Sequence, residues 1–137
     1  MIAWLRRRCR LDRRGRSDDD GAVTIEYVIL VPVVLVIIFS CFQLALNSFA
    51  RSVAQTAAEE GSNAARAYGA SSADGQSRAQ LVIDRQGDAL SNTNISVVES
   101  GGEVRVTVTG HSLSLLPGYG GFTVTQTASG PIEQFVR

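Results

Sequence analysis

Gly21-Ala22-Val23-Thr24-Ile25-Glu26-Tyr27-Val28-Ile29-Leu30-Val31-Pro32-Val33-Val34-Leu35-Val36-Ile37-Ile38-Phe39 is the stretch that decides how this chain folds. From residue 27 to residue 50 no side chain carries a charge, a run of 24 residues that ends at Arg51. A helix needs about 20 apolar residues to cross the hydrocarbon core of a bilayer, so this run is long enough to span. One carboxylate, Glu26, stands at its start. An ionisable side chain at the edge of a span is costly and is read first as functional.

Toward the N-terminus the run is preceded by Arg6, Arg7, Arg8, Arg10, Arg13, Arg14 and Arg16. These are seven of the 13 basic residues, and with four of the 13 acids they give residues 1–21 a net charge of +3. The remainder carries −3, so the overall neutrality hides two oppositely charged parts. Lysine is missing from the whole chain, which points to a GC-rich genome. Basic residues flanking a span stay on the cytoplasmic side, which places the C-terminal part outside. An Arg-rich run also suits nucleic acid. Here a span follows at once and no aromatic residues are interleaved, so no nucleic-acid partner is expected. Fewer than 100 of the 137 residues remain for an outer domain. That is enough for one small core and too little for a large catalytic cleft. Cys9 precedes the span and Cys41 lies in it, so the outer part has no disulfide of its own.

A secretory signal has an apolar stretch of about 7–15 residues followed by a small-residue cleavage site. This run is longer, and residues 41–50 that close it contain no Ala-x-Ala ending. An uncleaved signal anchor is the plain alternative. The fixed offsets argue beyond it: Gly21 before the apolar run, then four residues, then Glu26-Tyr27. Pro32 follows Glu26 by six residues, and Ala57-Ala58-Glu59-Glu60-Gly61-Ser62-Asn63-Ala64-Ala65-Arg66-Ala67 continues the pattern.

These residues resemble a known family. Gly21 with Glu26 and Tyr27 is similar to the processing motif of type IVb prepilins of the Flp type. The wider segment, from Gly21 to Ala67 and about a third of the chain, resembles TadE-like pseudopilins, the minor pilins of the tight-adherence pilus system. The resemblance implies cleavage between Gly21 and Ala22 by a prepilin peptidase supplied separately. It also implies partners: other pilin subunits (a Flp-type major pilin and related minor pilins), a pilus assembly platform and the lipid bilayer. The implied setting is a bacterial pilus or secretion machine in the cytoplasmic membrane, crossing it once.

The residues at the junction suit that reading. Gly21 has no side chain and lies easily in a protease cleft. Asp18-Asp19-Asp20 resist insertion and hold the junction in water. Glu26 attracts a freed Ala22 ammonium of a neighbour, although desolvation consumes much of that attraction. Its main benefit is register, since a misplaced subunit leaves a carboxylate unpaired. Without processing, the same carboxylate simply sits at headgroup level near a helix N-terminus. Tyr27 suits the interface, with its ring in the acyl boundary and its hydroxyl in water. Pro32 removes one helical hydrogen bond and predicts a kink.

Beyond the span, Phe42, Leu46, Phe49, Val53, Ala57, Ala64 and Tyr68 recur at helical steps, with Gln43, Asn47, Arg51, Gln55, Glu59, Asn63 and Arg66 on the other side. The helix is expected to run on to Tyr68, with the small residues Ala54, Ala57, Ala58, Gly61, Ala64 and Ala65 offering close packing to neighbours on one face and to the chain's own sheet on another. Residues 69–75 read as a turn region and 77–86 as a short helix with Ala79, Val82 and Ile83 inward. Strands are expected at 95–99 and 103–109, joined by a tight turn at Gly101-Gly102. Val104, Val106 and Val108 share one face of the second. Leu113 and Leu115 suggest a further short strand, and 122–128, with Val124 inward, another.

The predicted fold is therefore α+β and pilin-like: a long N-terminal transmembrane helix continuing into an exported domain with a short helix and a small antiparallel sheet. The expected organisation is a cytoplasmic basic leader over 1–21, a transmembrane helix over 22–48, its amphipathic continuation over 49–70 and the exported domain over 71–137. No catalytic residues, metal or cofactor are expected. His111 is the chain's single His and reads as a strand-end surface residue. Asp74, Asp84 and Asp88 lack the spacing of a calcium loop. Asn94-Ile95-Ser96 matches a glycosylation sequon by chance, and the Tyr119 loop is the best place for outward recognition. The reading is a non-enzymatic minor pilin. Its rival is an uncleaved single-pass binding or regulatory module of the cell envelope.

Overall fold

The computed structural model describes residues 17–116, 118 and 120–133, with side chains from Glu26 on. The Arg run up to Arg16, Cys9 and Tyr119 lie outside the described residues. The elements in order are α1 (Ser17–Arg66), α2 (Ser72–Arg85), a single 3-10 turn (Gly87–Ala89), β1 (Leu90–Ser100), β2 (Glu103–Ser112) and β3 (Thr123–Pro131). The three strands form one antiparallel sheet in the order β1-β2-β3. The architecture is α+β, as the periodicities predict. It divides into two compact units, Met1–Ser40 and Cys41–Arg137.

In the first unit the described residues are all helical. Tyr27, Val28, Ile29, Leu30, Val31 and Val33 through Phe39 are exposed on every side of the helix. An all-round apolar helix belongs to a large core or to a membrane, and here no core covers it. Ser40 donates its hydroxyl to the Val36 carbonyl at 2.7 Å, which keeps a polar group satisfied within the helix.

In the second unit, Ala50, Val53, Ala54, Ala57, Ala58, Gly61, Ser62 and Ala65 of α1 are buried. Their steps of three and four residues draw one stripe on the helix. The stripe is made almost wholly of small side chains. The larger apolar residues expected there, Phe42, Phe49 and Tyr68, are exposed, the last at 71%. The smallness of the stripe matters most where α1 crosses α2. Gly61 meets α2 at Gly75, where each glycine stands where a Cβ would strike the other's carbonyl oxygen, at 2.9 Å and 2.8 Å. A Cβ at Gly61 would also lie 3.0 Å from the Ala79 Cβ and 3.3 Å from Val106. Only small residues fit so close a crossing.

β2 is the central strand, and Val104, Val106 and Val108 on its inner face are fully buried. They pack with Val124 of β3, with Ala79, Val82 and Ile83 of α2, and with the α1 stripe in one core. The opposite face of the sheet is polar. Thr107 pairs with Thr127 at 3.1 Å and Thr109 with Thr125 at 3.3 Å across β2 and β3. Gly101 and Gly102 have φ of 63° and 81°, the left-handed conformation that a two-residue hairpin turn requires.

Several boundaries differ from the sequence reading. α1 stops at Arg66, and Gly69 follows with φ of 76°. α2 starts at Ser72 inside the expected turn region, because Ser71 and Asp74 form a capping box. β1 starts five residues early, at Leu90, and absorbs a bulge between Ser91 and Asn94 where Asn92 adopts a φ of 49°. The last strand is Thr123–Pro131 rather than 122–128. The strand suggested by Leu113 and Leu115 does not form. The Leu113 carbonyl accepts from Gln43 Nε2 at 3.1 Å and the Leu115 N–H donates to Gln43 Oε1 at 3.2 Å, so a side chain of α1 takes the groups a ladder would need. The sheet has three strands.

Candidate functional site

The candidate site is the N-terminal part of α1. Gly21 and Ala22 lie four and five residues into the helix, which begins at Ser17, with side chains outside the described residues. Glu26 and Tyr27 are exposed, and Glu26 has no hydrogen bond or ion pair among the described residues. A carboxylate at the start of an apolar surface, with no partner among the described residues, is available to a group from elsewhere. Pro32 stands inside α1, where it has no N–H to give to the carbonyl of Val28. Among the described residues one helix, from Glu26 to Arg66, is long and apolar enough to cross a membrane.

Several other polar residues are held in structural contacts. Asp74 accepts from the Ser71 hydroxyl at 2.7 Å and from the Ser71 N–H at 2.8 Å. These bonds, the side-chain one first, hold its carboxyl below the ordinary aspartate range. Asp84 accepts from Gln80 Nε2 at 2.8 Å. The His111 Nδ1 lies 3.4 Å from the Thr123 hydroxyl on the outer side of the sheet. Arg78 donates through Nε and Nη2 to Glu60 Oε2 at 3.1 Å and 2.9 Å, a surface clip between α2 and α1. Cys41 is free and exposed.

Two residues assigned to the polar side of α1 behave otherwise. Gln43 is half-buried and holds the 113–115 backbone. Asn47, one turn on, is also half-buried, and its Oδ1 is buried without a hydrogen-bond partner among the described residues. The available signal was their chemistry: they are the two amides in an otherwise uncharged run, and an amide in such a setting demands a partner.

No curated protein and no solved structure matches the chain. Residues 21–63 match the family model described as TadE-like protein. That stretch carries Gly21, Glu26, Pro32 and most of the small-residue stripe, and over it the chain is similar to TadE-like proteins.

Proposed function

We propose that this protein is a minor pilin, or pseudopilin, of a Flp/Tad-type pilus assembly or secretion machine. A prepilin peptidase cuts between Gly21 and Ala22. The basic leader stays in the cytoplasm, the following helix crosses the inner membrane, and the α+β domain stands outside. Assembly runs through the N-terminal helix, against other pilin subunits and the assembly platform, and the protein performs no chemistry of its own.

The observation that carries this reading is the TadE-like match over residues 21–63. It coincides with a helix whose apolar side chains are exposed all round. Such a surface is stable only in lipid or against similar helices. A subunit that starts in a bilayer and ends in a helical bundle uses both. Processing at a helical Gly21 requires that the peptidase unwind the junction locally, and glycine lowers the cost of that step.

The test is the N-terminus of the mature chain. Mass spectrometry of the membrane-bound protein from cells with and without a prepilin peptidase should find Ala22 first only in the former. A Met1-containing chain in both would favour the uncleaved, single-pass envelope module instead.

A further inference from the structure

The segment after β2 exposes an apolar edge that nothing in the core explains. Leu113, Leu115, Leu116 and Phe122 are 41%, 49%, 58% and 42% exposed. Phe42 and Leu44 of α1 are exposed as well. Large apolar side chains gathered on a small domain mark a contact surface. The charge pattern agrees. From residue 106 to residue 132 the chain contains no Asp, Glu, Arg or Lys, so this edge has no charged residue of its own sequence neighbourhood to keep it in water.

Several backbone groups beneath these side chains are paired inside the chain. Gln43 receives the Leu115 N–H and donates to the Leu113 carbonyl. The Leu116 N–H donates to the Ser114 hydroxyl at 3.1 Å, and that hydroxyl faces the Leu116 carbonyl at 3.4 Å. At the base, the Ser112 N–H donates to the Phe122 carbonyl at 2.9 Å and the Phe122 N–H to the buried Ser112 hydroxyl at 3.1 Å. A loop meant for water leaves such groups to water. A loop that enters an apolar phase must satisfy them internally.

Gln43 also sets the level of the loop. It lies 17 residues after Glu26 within the uncharged run, inside the roughly 20 residues that cross a bilayer core. We infer that the leucine loop 113–116, clamped to Gln43 and flanked by Phe122, dips its side chains into the acyl boundary of the leaflet through which α1 emerges. The occupant is the lipid surface itself, because the residue that holds the loop belongs to the run that spans it. The loop is thus a second, peripheral anchor that fixes the orientation of the domain on the membrane. This inference rests on the membrane-anchor reading of α1.

The test uses the full chain in phosphatidylcholine nanodiscs, with Cys9→Ser and Cys41→Ser and one environment-sensitive fluorophore placed through Leu115→Cys. Lipids brominated near the headgroup end of the acyl chain should quench the probe at 115 and shift its emission to the blue. A probe placed through Val98→Cys, exposed at the other end of the sheet, should stay unquenched. A Cys9→Ser chain labelled at its natural Cys41 reports the anchor separately. Quenching at 41 without quenching at 115 overturns the loop proposal and leaves the anchor standing. No quenching at 41 overturns the anchor reading, and the loop proposal with it. A blue shift at 115 that escapes lipid quenching and grows with the protein-to-lipid ratio assigns the edge to a second copy instead, which also overturns it. Adding Gln43→Leu to the Leu115→Cys chain should weaken the quenching at 115, since the clamp is lost. Unchanged quenching would show that Gln43 does not place the loop and overturns the clamp.

Discussion

Single residues in this protein are sorted by how close their neighbours stand. Gly75 faces the Ala65 Cβ at 2.6 Å and the Gly61 carbonyl oxygen at 2.8 Å from where its own Cβ would be. Gly75→Ala therefore pits a helix-propensity gain of about 1 kcal/mol against an overpacking cost of about 1–3 kcal/mol. The backbone oxygen and the short Ala65 side chain have nowhere to move, so the cost wins and denaturation should show a net loss of stability. Gly130 looks similar but is not. The nearest atoms to its Cβ would be those of the Arg66 side chain, Nη1 at 2.7 Å and Cδ at 3.4 Å. A flexible guanidinium swings aside, and Gly130→Ala should change stability by no more than about 0.5 kcal/mol. Equal effects of the two substitutions would remove the close-crossing account. Glu26 belongs to this scale too. With no partner for Glu26 among the described residues, Glu26→Ala should leave the fold and the cleavage at Gly21 intact and reduce incorporation into pili. Unchanged surface pili would remove its assembly role.

At the scale of elements, α2 shows how a short helix is started by its ends. Ser71 and Asp74 exchange hydrogen bonds at its first turn, and they make a start signal stronger than the small residues around them suggest. Because Asp74 is held below its ordinary range in the folded chain, its contribution is present above the range where an unfolded aspartate titrates. It is lost as pH falls through the lowered folded value. Ser71→Ala removes the hydroxyl that contributes most. The wild-type advantage over this variant should therefore be larger at neutral pH than below about pH 3, read as the difference in Tm. An advantage equal at both would disconnect the cap from the titration. The sheet follows the same logic of local sufficiency. β2 alternates so regularly that its inner face is visible in the residues themselves, whereas β1 hides its start behind Ser91, Asn92 and Thr93 and a bulge.

At the scale of the molecule, the core of the second unit runs only from Ala50 to Val124, with Ala128 and Ile132 at its border. Among the described residues, none before Ala50 contributes a buried apolar side chain to it. A fragment of residues 48–133 should accordingly melt cooperatively in mild detergent, followed by far-UV circular dichroism, with both helix and strand signals lost together. Absence of a sigmoidal transition would mean that the preceding helix is needed for folding. Two short ties keep the C-terminal border in place. The Ile132 N–H donates to the Gly102 carbonyl at 2.8 Å and the Glu133 N–H to the Arg66 carbonyl at 3.0 Å, which joins the hairpin turn and the end of α1 to the last strand.

The sequence by itself determined what depends on composition along a line. The long apolar helix follows from an uncharged run, the hairpin from two glycines, the inner face of β2 from alternating valines, and the likeness to TadE-like proteins from the spacing of Gly21, Glu26 and Pro32. Only the tertiary structure decided which residues of α1 face inward. Hydrophobicity favoured Phe42 and Phe49, which are exposed, and Tyr68, which lies past the end of the helix; the buried stripe is mostly alanine, and where α1 crosses α2 at Gly61 and Gly75 a Cβ would strike the other backbone. The same holds for Leu113 and Leu115, whose pattern reads as a strand until Gln43, 70 positions away in the chain from Leu113, takes their backbone groups. Periodicity reports which side chains avoid water. It does not report how close two backbones come, or which distant amide reaches a loop first, and these two distances set the packed core and the exposed leucine edge.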